Sequence, residues 1–259
     1  MESLYRQFYE EPRYRPAILL GQLVAAGMLG RKSGRGFYAY PNGQREVPRE
    51  SDLPNVPPAR IWVSRRSPPE AENLIRSLQM ERVEIDSAER PAPDSACVVL
   101  PFGEDATAAA IAEHLDPVRT VAVDMLFWPG ECRTLMTTPV TSKRISDGVH
   151  CALARGGTPV TVIQDSPGFV AQRVVAMIVN IACDIAQQRI ARPAEIDRAV
   201  SIALGYPAGP LAWGDQIGGQ RILAILEAMH AFYGDPRYRP SPWLKRRARL
   251  DVSLTAESN

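Results

Sequence analysis

Histidines and carboxylates are the side chains of this 259-residue chain that could exchange protons near neutral pH. We interpret each of the three histidines as a helix-surface residue rather than a base; they are His114, His150 and His230. Asp124 and Glu131 could form an acid–base pair, but nothing in the neighbouring sequence would obviously tune their pKa values. The four cysteines are scattered without C-x-x-C spacing, so we expect free buried thiols, a cytoplasmic protein and no metal site.

Glycines 30, 34 and 36 suggest a phosphate-binding turn. No strand precedes them and no helix follows, so the segment lacks the context of a dinucleotide fingerprint, and its spacing differs from a P-loop. We expect the glycines to allow tight turns while Phe37 and Tyr38 anchor the segment in a core. Two interpretations of Arg31 and Lys32 stay open, a structural role and contact with a ligand phosphate.

Composition excludes several classes of function. The chain is 45% hydrophobic with a formal net charge of +1, which predicts no binding to nucleic acid or anionic membranes. No uninterrupted apolar stretch reaches the roughly 18 residues of a membrane span. A globular protein of one to two domains is expected from the length.

Strand and helix signals alternate between residues 59 and 165. β-Branched and apolar runs predict strands at 61–63, 83–85, 97–101, 120–124 and 160–163. Helical spacing predicts helices at 69–78, 106–115 and 145–155. This alternation favours a parallel α/β layer of the Rossmann type.

The stretch from Asp165 to Asp215 opens an all-helical domain. Ser166 is a candidate N-cap and Pro167 a candidate first helical residue, followed by apolar residues near helical spacing from 174 to 185. Asp165 is interpreted as a capping or turn residue and Asp215 as a buried loop orienter. The last residues, 253–259, are expected to fray.

Three segments of this chain resemble one known family. They are the Ser166–Val170 junction with Arg173, the loop from Gly205 to Asp215 with its Gly-x-Pro-x-Gly-Pro pattern, and the stretch from Gly30 to Tyr40. All three are similar to segments of the helical C-terminal domain of 3-hydroxyacyl-CoA dehydrogenases. Gln172 stands where that family usually has asparagine. The resemblance covers about residues 1–45 and 120–254.

The resemblance implies an NAD-dependent oxidation of (3S)-3-hydroxyacyl-CoA to 3-oxoacyl-CoA in a parent enzyme, but this chain departs from the pattern. The glycine-rich turn is absent after the first strand, where Val63 leads to Pro69 without a glycine. Met125 and Thr137 occupy the positions at which the resemblance places the catalytic histidine and glutamate. We therefore predict no catalytic residue and no cofactor bound by this chain. The weak candidates for substrate contact are Gln172, Arg173, Arg31 and Lys32.

An internal repeat divides the chain. Residues 8–16 recur as residues 232–240, with Pro12 matching Pro236 and a leucine four residues after each second proline. We predict the tail of a first helical domain at 1–45, a proline-rich linker at 46–58, a degenerate Rossmann-like domain at 59–165 and a second helical domain at 166–254.

The repeat suggests the C-terminal part of a longer two-repeat dehydrogenase whose helical domains pack as in a dimer interface, with residues 1–45 on 166–250. Expected partners are a missing N-terminal half or a second subunit in a homo-oligomer, with acyl-CoA as a candidate ligand. The alternative is a stand-alone acyl-CoA-binding module that has lost catalysis.

Overall fold

The computed structural model describes residues 2–46, 53–57 and 59–257 of the chain. They form two compact units, Met1–Asp52 and Leu53–Asn259. Most of the predicted linker, 46–58, lies outside the described residues.

The first unit, predicted as the tail of a helical domain, contains α1 (Glu2–Gln7) and α2 (Ile18–Ala25), separated by a short 3-10 helix at Pro12–Tyr14. Within its described part, no large apolar side chain is buried. The prediction that Phe37 and Tyr38 anchor a core is therefore wrong for this unit, because their exposed fractions are 66% and 42%. A segment this short cannot by itself enclose an apolar interior.

A six-stranded sheet forms the centre of the second unit. Its strands are β1 (Ile61–Val63), β2 (Ile85–Asp86), β3 (Ala96–Val99), β4 (Thr120–Val123), β5 (Arg133–Thr137) and β6 (Val160–Gln164), in the order β2-β1-β3-β4-β5-β6. The first four strands are mutually parallel, as predicted. The prediction of an entirely parallel layer is wrong at one edge, because β5 runs antiparallel to β4 and β6 is parallel to β5. A loop without a helix joins β4 to β5, which antiparallel neighbours permit.

Helices cover both faces of this sheet. They are α3 (Pro68–Met80), α4 (Ala106–Ala112) and α5 (Lys143–Leu153). Ile61 and Val63 of β1 share a core with α3 and α5, whereas Trp62 shares a core with α4 on the other face. Alternate residues of a strand point to opposite faces, so this apolar triplet serves both layers.

Five helices complete the second unit: α6 (Val170–Gln187), α7 (Pro193–Leu204), α8 (Pro210–Ile217), α9 (Gly219–Tyr233) and α10 (Pro242–Leu250). Helix α6 is long and apolar enough to cross a membrane by length and composition. Its buried residues, such as Val175 and Val179, pack in a core with residues of α8, α9 and α10. The predicted N-cap at Ser166 is wrong, because the helix begins at Val170 after Phe169, whose φ is 40°.

The C-terminal segment is fixed rather than frayed. Leu254 is fully buried, and its backbone N–H donates to Asp215 at 2.7 Å. Its carbonyl accepts the indole N–H of Trp243 at 2.9 Å. The prediction of fraying is therefore wrong up to this residue. Asp215 orients this segment, as predicted, but its side chain is half-buried rather than buried.

The two copies of the repeat have the same local structure. Pro12–Tyr14 and Pro236–Tyr238 both form 3-10 helices, and α2 and α10 follow them after similar short connections. Leu244 of the second copy is fully buried, whereas the matching Leu20 of the first copy is only partly buried. The sequence repeat is therefore also a structural repeat, with different burial in its two copies.

Candidate functional site

A cleft of about 260 Å³ opens at the carboxyl ends of β1 and β3, where parallel α/β sheets bind their ligands. Part of its lining is apolar: Leu100, Pro101 and Phe102 after β3, Ala109 of α4, and Ala224 and Ala228 of α9. The other lining residues are polar or charged: Ser64, Arg66, Ser67, Glu104 and Glu113.

The turn between β1 and α3 does not fit a dinucleotide. A close approach of pyrophosphate to the backbone requires glycine and free N–H groups at the helix N-terminus. Ser64 to Ser67 contain no glycine, and Pro68 and Pro69 occupy the start of α3. Proline has no backbone N–H, so the first turn of α3 presents fewer donors than such a site needs.

An ion pair lies across this cleft. The guanidinium of Arg66 donates two hydrogen bonds to the carboxylate of Glu104, at 2.6 and 3.1 Å. The bond to Glu104 raises the pKa of Arg66. The hydroxyl of Ser64 donates to Glu113 at 2.5 Å and accepts the backbone N–H of Arg66 at 3.2 Å. One guanidinium and two carboxylates give the lining an excess of negative charge, which opposes a diphosphate.

Asp86, at the end of β2, is a position that sequence reasoning missed. An acidic residue about 20 residues beyond the glycine turn of a dinucleotide fold binds the ribose hydroxyls. Here both carboxylate oxygens accept bonds from the following loop, from the backbone N–H of Ala92 at 2.8 Å and Ala88 at 3.2 Å, and from the Ser95 hydroxyl at 2.7 Å. These bonds lower the pKa of Asp86. The sequence signal for this position was an acidic residue at the end of the second strand. In the structure both carboxylate oxygens of Asp86 already accept hydrogen bonds from the protein.

A smaller pocket of about 70 Å³ lies beyond the end of β4 and is lined by Asp124, Trp128, Cys132 and Thr134, among others. Burial raises the pKa of Asp124. Glu131 is exposed and is not among the lining residues, so no carboxylate pair forms there. Met125 is buried in the sheet core, and Thr137 ends β5. A thioether and a hydroxyl offer no proton acceptor at neutral pH.

Gln172 lies in the interior, with no exposed surface. Its carbonyl oxygen accepts the backbone N–H of Gly103 at 2.8 Å. Its nitrogen donates to the carbonyl of Pro101 at 3.1 Å and to the carboxylate of Asp124 at 2.9 Å. These bonds connect α6 to the ends of β3 and β4. They favour a structural role for Gln172 over the predicted contact with substrate.

Arg173, a predicted candidate for substrate contact, donates to neutral groups of the protein. Its Nη2 donates to the hydroxyl of Ser166 at 2.9 Å, the carbonyl of Pro167 at 2.8 Å and the hydroxyl of Tyr233 at 3.0 Å. Its guanidinium also lies 5.4 Å from the centroid of the Tyr233 ring. Arg31 and Lys32 lie in the first unit, in an exposed 3-10 turn, and their contact with a ligand phosphate stays a prediction.

The histidines differ in their surroundings. His150 is buried, so the prediction of a surface position is wrong for it, and burial lowers its pKa. His230 Nδ1 lies 3.2 Å from the carbonyl oxygen of Asp235. None of the three lines either cleft, and the described residues contain no group of three or more side chains suited to a metal ion.

The predicted capping role of Asp165 is confirmed, although it caps a helix distant in sequence. Its carboxylate accepts the backbone N–H groups of Ala106 at 2.8 Å and Thr107 at 3.2 Å, at the start of α4.

All four cysteines are free thiols, and Cys132 is the exposed one.

Comparison with known proteins agrees with this architecture. The model of the 3-hydroxyacyl-CoA dehydrogenase C-terminal domain matches residues 1–40 and 168–254, the two segments that contain the repeat. A 3-hydroxyadipyl-CoA dehydrogenase of Escherichia coli is 33% identical over 249 residues, which are 96% of this chain and 47% of that protein. A probable 3-hydroxybutyryl-CoA dehydrogenase of Bacillus subtilis is 34% identical over 106 residues, 41% of this chain and 37% of that protein.

A solved structure extends the match to three dimensions. The crystal structure of an E. coli 3-hydroxybutyryl-CoA dehydrogenase superposes with a TM-score of 0.72 at 31% identity, covering 96% of this chain and 47% of that one. The chain thus spans about half the length of this relative and of the E. coli protein matched by sequence. The chain belongs to the 3-hydroxyacyl-CoA dehydrogenase family and corresponds to the C-terminal portion of its longer members.

Proposed function

We propose that this chain serves as the C-terminal part of an NAD-dependent (3S)-3-hydroxyacyl-CoA dehydrogenase and does not itself catalyse the reaction. The observation that carries the proposal is Met125, a buried thioether at the position where the resemblance places the catalytic histidine. The helical core formed by α6 to α10 is nevertheless retained. The chain's contribution is then structural, supplying a helical domain and completing a substrate cleft.

The α/β domain is degenerate in this proposal. The absent glycines, the prolines at the start of α3 and the engaged carboxylate of Asp86 all argue against a bound dinucleotide. NAD would be held by the other half of the parent enzyme. The relatives' names specify two different acyl groups, hydroxyadipyl and hydroxybutyryl, so the proposed substrate is the 3-hydroxyacyl-CoA class.

An exposed apolar patch supports the proposed packing role. The patch consists of Val170 and Val174 of α6 with Phe232 and Tyr233 of α9, whose exposed fractions range from 41% to 65%. Arg173 lies over the Tyr233 ring beside it. Aromatic residues and arginine are typical of interface centres. We propose that the patch packs against another helical domain of the same family. That domain belongs either to the N-terminal half of the parent enzyme or to a second subunit.

Two assays on the isolated chain test the function. NADH consumption with acetoacetyl-CoA should be undetectable, and calorimetric titration with acetoacetyl-CoA should show no binding. Turnover would contradict the proposal outright. Micromolar binding without turnover would instead support the stand-alone acyl-CoA-binding module.

Sedimentation velocity tests the packing role. We expect the isolated chain to self-associate through the patch and Val174→Asp to shift it toward monomer. Ile111→Asp, at an exposed apolar position of α4, is the matched control and should leave the distribution unchanged. Equal behaviour of the two variants would remove the support for this interface.

A further inference from the structure

The positively charged side chain of Arg66 lies at the carboxyl ends of β1 and β3. Parallel sheets bind their ligands at this edge. Arg66 lines the cleft of about 260 Å³ and its side chain is 51% exposed. A guanidinium binds carboxylates and phosphates with the same two-pronged geometry. The ligand chemistry suited to Arg66 is therefore an oxyanion.

The protein supplies that oxyanion itself. The carboxylate of Glu104 accepts a hydrogen bond from each terminal nitrogen of Arg66, at 2.6 and 3.1 Å. The Glu104 side chain is 28% exposed. The pair joins the start of α3 to the loop after β3, and both partners line the cleft. Glu104 thus occupies the oxyanion position on Arg66.

The loop that carries Glu104 is held in place by contacts of its backbone. Gly103 has a φ of 84°, and a Cβ added there would lie 2.6 Å from the Cα of Ile225. Its N–H donates to Gln172, and the carbonyl of Glu104 accepts the N–H of Gly168 at 3.4 Å. Because these contacts do not use the Glu104 side chain, its carboxylate can be removed while the loop stays in position.

We propose that Glu104 acts as a built-in anion that closes a latent diphosphate site on Arg66. The inference rests on the proposed function in one respect, that the native chain holds no dinucleotide. Removal of the carboxylate leaves the guanidinium facing the cleft, with the hydroxyls of Ser64 and Ser67 beside it. The cleft is smaller than the roughly 300 Å³ lower bound for drug-sized ligands, so it suits a diphosphate group rather than an entire dinucleotide.

Calorimetric titration with inorganic pyrophosphate tests the proposal. We expect no binding to the native chain at millimolar concentration, and at least tenfold tighter binding to Glu104→Ala. The gain should disappear in Arg66→Ala/Glu104→Ala. It should increase in Glu104→Ala/Glu113→Gln, because Glu113 is the remaining carboxylate of the cleft. Glu227→Ala is the charge-matched control, since Glu227 pairs with Lys245 at 3.2 Å and does not line the cleft.

Several outcomes would overturn the proposal. They are tight pyrophosphate binding by the native chain, an equal gain in Glu227→Ala, and a gain that persists without Arg66. Circular dichroism verifies folding, and Glu104→Gln is the second variant, with a smaller gain expected because its amide oxygen still accepts one bond from Arg66. Titration with ADP separates recognition of the diphosphate from recognition of a nucleoside, since equal gains for both ligands assign the effect to the diphosphate. Failure here leaves the NADH assay on the native chain unaffected, so the two proposals fail separately.

Discussion

The side-chain nitrogen of Gln172 lies 2.9 Å from a carboxylate oxygen of Asp124, and this bond joins helix α6 to the end of strand β4. The same amide bonds Gly103 and Pro101, which follow strand β3. A single buried side chain therefore fixes two strand ends against the helical part of the second unit.

Replacing Gln172 with alanine should destabilise the second unit. The change removes three hydrogen bonds and leaves buried backbone groups unsatisfied, each at a cost of about 1–3 kcal/mol. We expect the free energy of unfolding in urea to fall by about 3 kcal/mol. Gln188→Ala at the exposed end of α6 should change it by less than about 0.5 kcal/mol. An equal loss in the free energy of unfolding for the two variants would show that Gln172 does not hold α6 against the sheet.

Asp124 should make stability fall as pH rises. Burial raises its pKa in the folded state, so the folded protein binds this proton more tightly than the unfolded chain does. The favourable contribution is present below the unfolded pKa and is lost as pH rises through the folded pKa. Asp124→Asn keeps an acceptor for Leu126 and Gln172 but cannot ionise. Urea unfolding from pH 3.5 to 8 should show Asp124→Asn gaining stability relative to the native chain as pH rises. A constant difference would contradict this.

Asp86 should have the opposite dependence. Hydrogen bonds from the Ala92 N–H and the Ser95 hydroxyl lower its pKa. Its contribution is therefore present above the unfolded pKa and is lost as pH falls through the folded pKa. Asp86→Asn should be less stable than the native chain at pH 7, with a deficit that shrinks toward low pH. Exposed Asp94→Asn serves as control, and a deficit that grew on acidification would be inconsistent with the pairing seen here.

The sequence identified most elements of the sheet layer because β1, β3, β4 and β6 are β-branched runs bounded by turn residues. It did not identify β5, whose sequence Arg-Thr-Leu-Met-Thr contains no valine or isoleucine and follows a loop instead of a helix. It also placed the start of α6 too early, because Ser166 and Pro167 match a helix-start signal that the chain uses for a turn. Local patterns do not reveal that Phe169 packs into the sheet at this point.

The candidate site was harder to foresee than the fold. The lost glycine turn is visible in the sequence, since it is an absence at a known position. Arg66 and Glu104 are distant in sequence, so no spacing rule predicts that they pair. The hydrogen bonds to Asp86 come from the loop that follows it, and they depend on the conformation of that loop. Gln172 was assigned to substrate for the same reason, because burial could not be read from its neighbours.

The internal repeat provides a matched pair of positions for mutation. Leu244 is fully buried in the core of the second unit, so Leu244→Ala should lower the free energy of unfolding by about 2–5 kcal/mol. Leu20, its counterpart, lies in a unit whose described part buries no large apolar side chain, so Leu20→Ala should cost less than about 1 kcal/mol. Chemical denaturation of both variants measures the difference. Similar losses would mean that the first copy also has a packed core.

Titration of the isolated, native chain with NAD tests the central claim most directly. In the proposed function the chain binds no dinucleotide, because the glycine turn is absent, prolines start α3, Glu104 pairs with Arg66 and Asp86 is hydrogen-bonded within its own loop. We expect no heat of binding up to millimolar NAD, with folding verified by circular dichroism. Saturable binding with a micromolar dissociation constant would contradict the claim.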